Sequence, residues 1–248
     1  MHKSLRVAVV ACTLVAGAYS QAFAADTLRI GTEPTFAPFE FTDSSNKIVG
    51  YDVDIVKALG KEAGFEVEIV SMPFDGLIPA LMTSQLDAVA AGMTITEERA
   101  KKVDFTVPYY NSGLSAVVLK SNADKYKKLS DLSKSRICGQ IGNTGVEFAK
   151  KLSGNVAAFN THSEAFMELK SKGCEAVITD RPVNEYFLAS QKDDTFVELN
   201  DFAESAQFGV AVKKGNSELL SKLNDAMQKI RDNGTFKEIH MKWFGTPE

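Results

Sequence analysis

The sequence predicts an α/β fold of two lobes with mostly parallel sheets, and three observations carry that prediction. Apolar strand-like runs alternate with amphipathic helical runs along most of the chain. The rhythm breaks twice: "VDFTVPYYNSGLSAVVLK" holds two extended runs with no helix between them, and "AQFGVAVKKG" is one more strand before a closing stretch that is helical almost to its end. The length, 248 residues, suits one large domain or two lobes of about 100 residues each, and the broken rhythm favours the lobes.

The first residues read as an export signal. Lys3 and Arg6 precede an apolar run from Val7 to Ala18 that is too short to span a bilayer, and Ala22-Phe23-Ala24 fits a small-residue cleavage site. A mature chain starting at Ala25 is expected, with residues 1–24 as signal peptide. Val9-Val10-Ala11-Cys12 also resembles a lipobox. Cleavage there would leave only about five apolar residues before Cys12, while the apolar run continues past it. No later stretch is long and apolar enough to span a membrane.

Removing Lys3 and Arg6 from the 28 basic residues leaves 26 against 32 acidic ones, a net charge of −6. A mildly acidic chain with scattered lysines makes nucleic acid and anionic membrane surfaces poor partners. Cys138 and Cys174 remain after cleavage, and in an oxidising compartment two thiols read first as one disulfide. Such a bridge would close about 37 residues and contribute roughly 4 kcal/mol in the chain-entropy account. Two buried, unpaired cysteines are the alternative. His162 and His240 lack ligand-like spacing to either cysteine, so no metal site is expected.

The elements follow in order. "LRIGT" is a buried strand, and "YDVDIVKALGKEAG" a helix with Asp52 as N-cap, an apolar stripe at Ile55, Val56, Leu59 and Ala63, and Gly64 as stop. "FEVEIVSM" is a strand, "DGLIPALMTSQ" a helix, "LDAVAAGM" a strand and "TEERAKKV" a helix entered at Thr96. The second part repeats the pattern: strands in "SRICGQIG", "VAAFN" and "EAVITD" alternate with helices in "TGVEFAKKLSG", "SEAFMELKSKG" and "RPVNEYFLASQ". "AQFGVAVKKG" is a further strand, and the remainder is helical. The two breaks suggest crossings near 110–113 and 205–208, which would leave lobe 1 as 26–109 with 209–248 and lobe 2 as 114–204.

One residue is out of place in this pattern. Arg99 falls in the first turn of its helix, where the macrodipole favours the acids Glu97 and Glu98 and disfavours a cation. An anion to be gripped would explain it, and so would an ion pair on a solvated face.

Several ordered motifs resolve that choice. "GYDVDIVKALGKEA" resembles the signature of family 3 bacterial extracellular solute-binding proteins, the amino-acid receptors of ABC importers. "GTEPTFAPFEF", "FDGLIPAL", "AAGMTITEERAKKVDFTVPYY", "GNTG", "AVITDRP" and "NGTFKEIHMKWFG" match in order over about residues 28–245. The resemblance implies a periplasmic-binding-protein fold of the type II kind, with two lobes joined by two hinge strands. It also implies a periplasmic location, an L-amino acid ligand, a membrane ABC permease as partner, a monomer, and no cofactor.

It further implies site residues. Arg99 would grip the ligand α-carboxylate bidentately, aided by Thr94, Gly92 and the adjacent helix N-terminus. Asp180, where a strand ends, would meet the ammonium; a helix N-cap is its plainer role. The Gly142–Gly145 loop, with Thr144, would add backbone amides. Phe36 and Phe74 match aromatic walls for the ligand side chain, or are ordinary core.

Glu33 matches the position that meets the far end of that side chain, and an acid between rings suits a guanidinium or ammonium. Glutamine-binding relatives often carry Asp, Lys and His at the positions of Glu33, Gln140 and Thr179. Losing that lysine at Gln140 favours arginine, lysine or ornithine over glutamine. The other classes fare worse: no G-x-S-x-G or H-E-x-x-H motif is present. A dehydratase on the same fold, or an adhesin that kept the scaffold while its pocket decayed, are the rival readings.

Overall fold

The computed structural model describes residues 26–191 and 194–246, so the signal-peptide and Cys12 assignments lie outside the described residues. The first half runs β1 (Thr27–Thr32), β2 (Thr35–Phe36), β3 (Glu40–Thr42), β4 (Ile48–Val49), α1 (Tyr51–Ala63), β5 (Glu66–Ser71), α2 (Phe74–Met82), β6 (Ala88–Val89), α3 (Glu97–Ala100), β7 (Val103–Phe105) and β8 (Tyr110–Leu119). Two single-turn 3-10 segments then lead to β9 (Ile137–Gln140), α4 (Thr144–Leu152), β10 (Val156–Phe159), α5 (His162–Lys170), β11 (Ala176–Asp180) and α6 (Arg181–Ser190). The chain closes with β12 (Phe196–Glu198), β13 (Ala203–Phe208), β14 (Ala211–Lys213), α7 (Ser217–Asp232) and α8 (Thr235–Phe244). Among the described residues no helix is long and apolar enough to cross a membrane.

Two main sheets result. One is ordered β5–β1–β6–β14–β7 and the other β10–β9–β11–β8–β12, with β13 also on β8. Parallel pairing holds in β5–β1–β6 and β10–β9–β11, as the strand–helix alternation requires. The sheets are nonetheless mixed, because β14 and β8 run antiparallel to their neighbours. The two broken-rhythm segments are the cause, since a strand entered without a crossover helix returns in the opposite direction.

Helices cover both faces of each sheet, which is why the central strands read as nearly continuous apolar runs. On the first sheet, α1, α7 and α8 bury Ile55, Leu59, Leu223, Met227 and Phe236 against one face. On the other, α2 packs Leu77 and Leu81 against Val89 and Ala211. Each such aliphatic side chain contributes roughly 1.5–3 kcal/mol on burial. In the second sheet Ala149 and Leu132 cover one face, and Ala165, Phe166 and Leu169 the other. Cys138 in β9 is disulfide-bonded to Cys174 just before β11, with Cα atoms 6.1 Å apart.

The chain passes between the sheets twice. After β7 it enters β8, and after β13 it returns to β14. These two strands pair antiparallel from Tyr110↔Phe208 through Asn111↔Gln207 and Ser112↔Ala206 to Gly113↔Ser205.

Three local expectations need correction. Asp52 does not cap α1: the N-cap is Gly50 and makes no side-chain bond, while Asp52 sits inside the first turn. The expected helix "TEERAKKV" is a single four-residue turn, because the chain must re-enter the sheet as β7. "AQFGVAVKKG" splits into the end of β13 and the whole of β14, the point where one sheet gives way to the other. The meander β2–β3–β4 was not anticipated.

Candidate functional site

The predicted site residues converge where the two sheets face each other, mostly just beyond the C-terminal ends of parallel strands. β1 leads into Glu33, β6 into Gly92 and Thr94, and β11 ends on Asp180. That edge is where an open α/β sheet presents groups to a ligand.

Arg99 occupies one corner. Its guanidinium donates to the Thr94 carbonyl at 2.8 Å and, across the gap, to the Gly142 carbonyl at 2.9 Å. It also lies over the Phe74 ring, 5.4 Å from the centroid. Burial lowers its pKa to about 10, opposed by the negative charge of Asp180, so it stays cationic. The helix N-terminus expected to assist it adds little. α3 is one turn long, and the Arg99 amide itself donates to Thr96 Oγ1 at 3.2 Å. Thr94 Oγ1 stands 3.5 Å from Thr144 Oγ1, and a cavity of about 290 Å³ opens beside them.

The far end is made by both lobes. Glu33 is 5% exposed, and its Oε2 accepts from Thr35 Oγ1 at 2.7 Å and from Gln140 Nε2 at 2.8 Å. Gln140 donates as well to the Asn160 carbonyl at 3.0 Å. Burial pushes the Glu33 carboxyl above its ordinary value, and the Thr35 and Gln140 donors partly restore its acidity. Phe36 is buried against His162 of the other lobe, with ring centroids 4.7 Å apart. His162 Nε2 shares a 2.9 Å hydrogen bond with Thr179 Oγ1, and burial lowers its pKa to about 3, so the ring is neutral.

Asp180 stands at the end of β11, fully buried. It holds the N-cap position of α6, yet its side chain caps nothing. Oδ1 accepts from Ser112 Oγ at 2.9 Å, and Oδ2 has no partner among the described residues. Burial raises its pKa to about 7, against the lowering effects of Ser112 and Arg99. A spare oxygen on a buried carboxylate can accept a further donor at once.

Gly92 has φ 52°, and a Cβ there would lie 2.3 Å from a carbon of the Phe36 ring. Its amide donates to Asp52 Oδ2 at 2.7 Å, leaving its carbonyl for any ligand contact. In the Gly142–Gly145 loop, Asn143 caps α4 by accepting from the Gly145 amide at 2.8 Å, so that amide is occupied too.

Among the site residues, contacts across the gap include Glu33 to Gln140, Arg99 to Gly142, Thr94 to Thr144, and Phe36 to His162. Phe74 joins through Arg99, and Asp180 through the field it shares with that guanidinium. Sequence reasoning did not single out His162, Ser112 or Asn143. His162 had a signal available, since Thr161 and Glu164 form a capping box that fixes it in the first turn of α5.

Comparison with known proteins matches this geometry. Residues 28–246 match the bacterial extracellular solute-binding proteins, family 3. The ABC transporter arginine-binding protein 1 of Escherichia coli (strain K12) is 35% identical over 241 residues, covering 95% of this chain and 98% of its own. A solved ancestral arginine-binding protein bound to glutamine is 43% identical with a TM-score of 0.86, covering 90% of this chain and all of the other. The solved ancestral amino acid-binding protein AncCDT-1, a precursor of cyclohexadienyl dehydratase, is 39% identical with a TM-score of 0.82, covering 88% and 95%. The chain belongs to family 3 of the bacterial extracellular solute-binding proteins.

Proposed function

We propose that this protein captures an L-amino acid with a cationic side chain in the periplasm and presents it to a membrane ABC permease. The observation that carries this reading is the charge pattern between the sheets. A guanidinium, Arg99, lies within the field of a buried carboxylate with a spare oxygen, Asp180, which suits the two charges of an amino-acid main chain. A second buried carboxylate, Glu33, stands beyond them among Phe36, Gln140 and Thr35, where a side-chain guanidinium or ammonium would find an acceptor. No lysine opposes it there, because position 140 is glutamine. The arginine-binding relatives support the same class of ligand.

In this reading the lobes are 26–109 with 209–248 and 114–204. They hinge on 110–113 and 205–208, the stretch where β8 and β13 pair. Closure follows ligand binding because only the closed form offers Arg99 and Asp180 together. The permease would recognise that closed form.

One observation favours glutamine as the alternative ligand. Glu33 already accepts an amide N–H, from Gln140, so it could accept one from a ligand. We assign no catalytic role: burial raises the pKa of both Asp180 and Glu33, as a catalytic acid would require, but the relatives named for a function are binding proteins.

Substituting Arg99→Ala tests the core of the proposal. Calorimetric titration should show binding weakened by on the order of 100-fold or more, the cost of leaving a buried charge unpaired. The circular dichroism spectrum should stay that of the parent. Affinity retained within a few-fold would overturn the carboxylate assignment.

A further inference from the structure

The first turn of α1 contains a buried acid that does not serve its own helix. Asp52 is 1% exposed, and its Oδ2 accepts from the Gly92 amide at 2.7 Å and from the Tyr109 hydroxyl at 2.6 Å. Gly92 is thus fixed from two sides, by the carboxylate on its amide and by the Phe36 ring where a Cβ would stand. Its left-handed backbone directs the chain on to Thr94, which bridges to Phe208 and meets Thr144 across the gap.

Glu40 of β3 faces the same carboxylate and is fully buried. Taken as two carboxylates, the pair leaves both Glu40 oxygens and Asp52 Oδ1 without partners. Two unpaired charges at that depth would be very costly. One proton resolves this: a neutral Glu40 donates to Asp52 Oδ1, and Asp52 remains the single anion with three donors around it. The surroundings agree. Burial comes first in raising Glu40, followed by the charges of Asp52, Glu33 and Asp180; burial likewise comes first in raising the Tyr109 phenol, followed by Asp52, Glu40 and Tyr51. All the titratable groups acting on Glu40 are acids.

We propose that Asp52 is a positioning residue of the ligand site: its carboxylate sets the Gly92–Thr94 backbone, and a neutral Glu40 is the donor that allows a lone anion there. The proposal rests on the amino-acid-binding reading of this cleft. It extends that reading to two residues that touch no ligand.

Titration with L-arginine, L-lysine and L-histidine, alongside thermal unfolding, separates positioning from plain stability. Asp52→Ala should weaken every ligand that the parent binds by about the same factor, roughly tenfold or more, because the segment it holds meets the common main chain. Glu40→Gln keeps an N–H donor and should bind within about twofold of the parent, while Glu40→Leu should fall with Asp52→Ala. If Asp52→Ala fails to fold, Tyr109→Phe, which removes one of the three donors, should show a smaller loss in the same direction. As pH rises, the affinity ratio of Glu40→Gln to parent should rise, since only the parent can lose the proton. Melting points that fall while all affinities hold would overturn the proposal. A flat pH ratio with equal binding by Glu40→Leu would do the same. If the parent binds none of the three, the functional reading fails first.

Discussion

Asp52 and Asp180 each stand where a helix begins; Asp52 was expected to cap its helix and Asp180 to meet a ligand ammonium, with a cap as its plainer role, and neither side chain caps. α1 starts on Gly50, and α6 starts on Asp180 with its side chain turned away toward Ser112. Both carboxyls are buried, and burial raises one to about 6 and the other to about 7. The difference lies in what meets their oxygens. Asp52 is enclosed by the Gly92 amide, the Tyr109 hydroxyl and the facing Glu40. Asp180 has one donor, a bare Oδ2, and a guanidinium near enough to shift its pKa. Depth alone does not distinguish the two acids; the count of internal donors does.

The contrast can be broken most forcefully at Asp180. Asp180→Asn keeps the shape and the Ser112 contact but removes the charge that would face an ammonium. Affinity should drop by about 100-fold, within the range for truncating one partner of a buried charge pair across an interface. A drop below about threefold would overturn the assignment of Asp180 to the ammonium.

A second test uses pH. The ammonium needs an ionised Asp180, and the free protein holds that group near pKa 7. Affinity should therefore fall as pH drops below about 7, approaching tenfold per unit before the bound form also protonates. Asp180→Asn should flatten that slope. If the slope survives in the variant, another acid such as Glu33 carries it.

The smallest effect concerns Glu40. An acid whose folded pKa is raised binds more protons folded than unfolded, so stability falls as pH climbs past its ordinary value of 4.5. Glu40→Gln removes that dependence. Its stability relative to the parent, from urea unfolding, should rise between pH 5 and pH 8. A constant difference would mean that Glu40 is not held neutral.

Much of the fold was legible because its signals are local and periodic. The stripe Ile55, Val56, Leu59 marks α1, Gly64 ends it in the left-handed region, and the apolar runs of β9 and β11 bound α4 and α5. The meander β2–β4 was not legible, since its two- and three-residue strands are too short for any period to show. The site was legible where one residue type is odd in its place, as Arg99 is in a helix first turn. Contacts such as His162 with Thr179, or Ser112 with Asp180, join residues far apart in sequence and depend on how α5 and β8 settle on the second sheet. Asp52 misled because its position in the chain is that of a cap, while its partners come from distant segments at residues 40, 92 and 109.

The most direct measurement is a calorimetric titration of the protein, unfolded and refolded to strip carried ligand, against L-arginine and L-glutamine in parallel. Tighter binding of arginine is the predicted result, with Glu33 serving as the counter-charge. Tighter binding of glutamine would contradict the cationic assignment and show Glu33 reading an amide, and binding of neither would contradict the account as a whole.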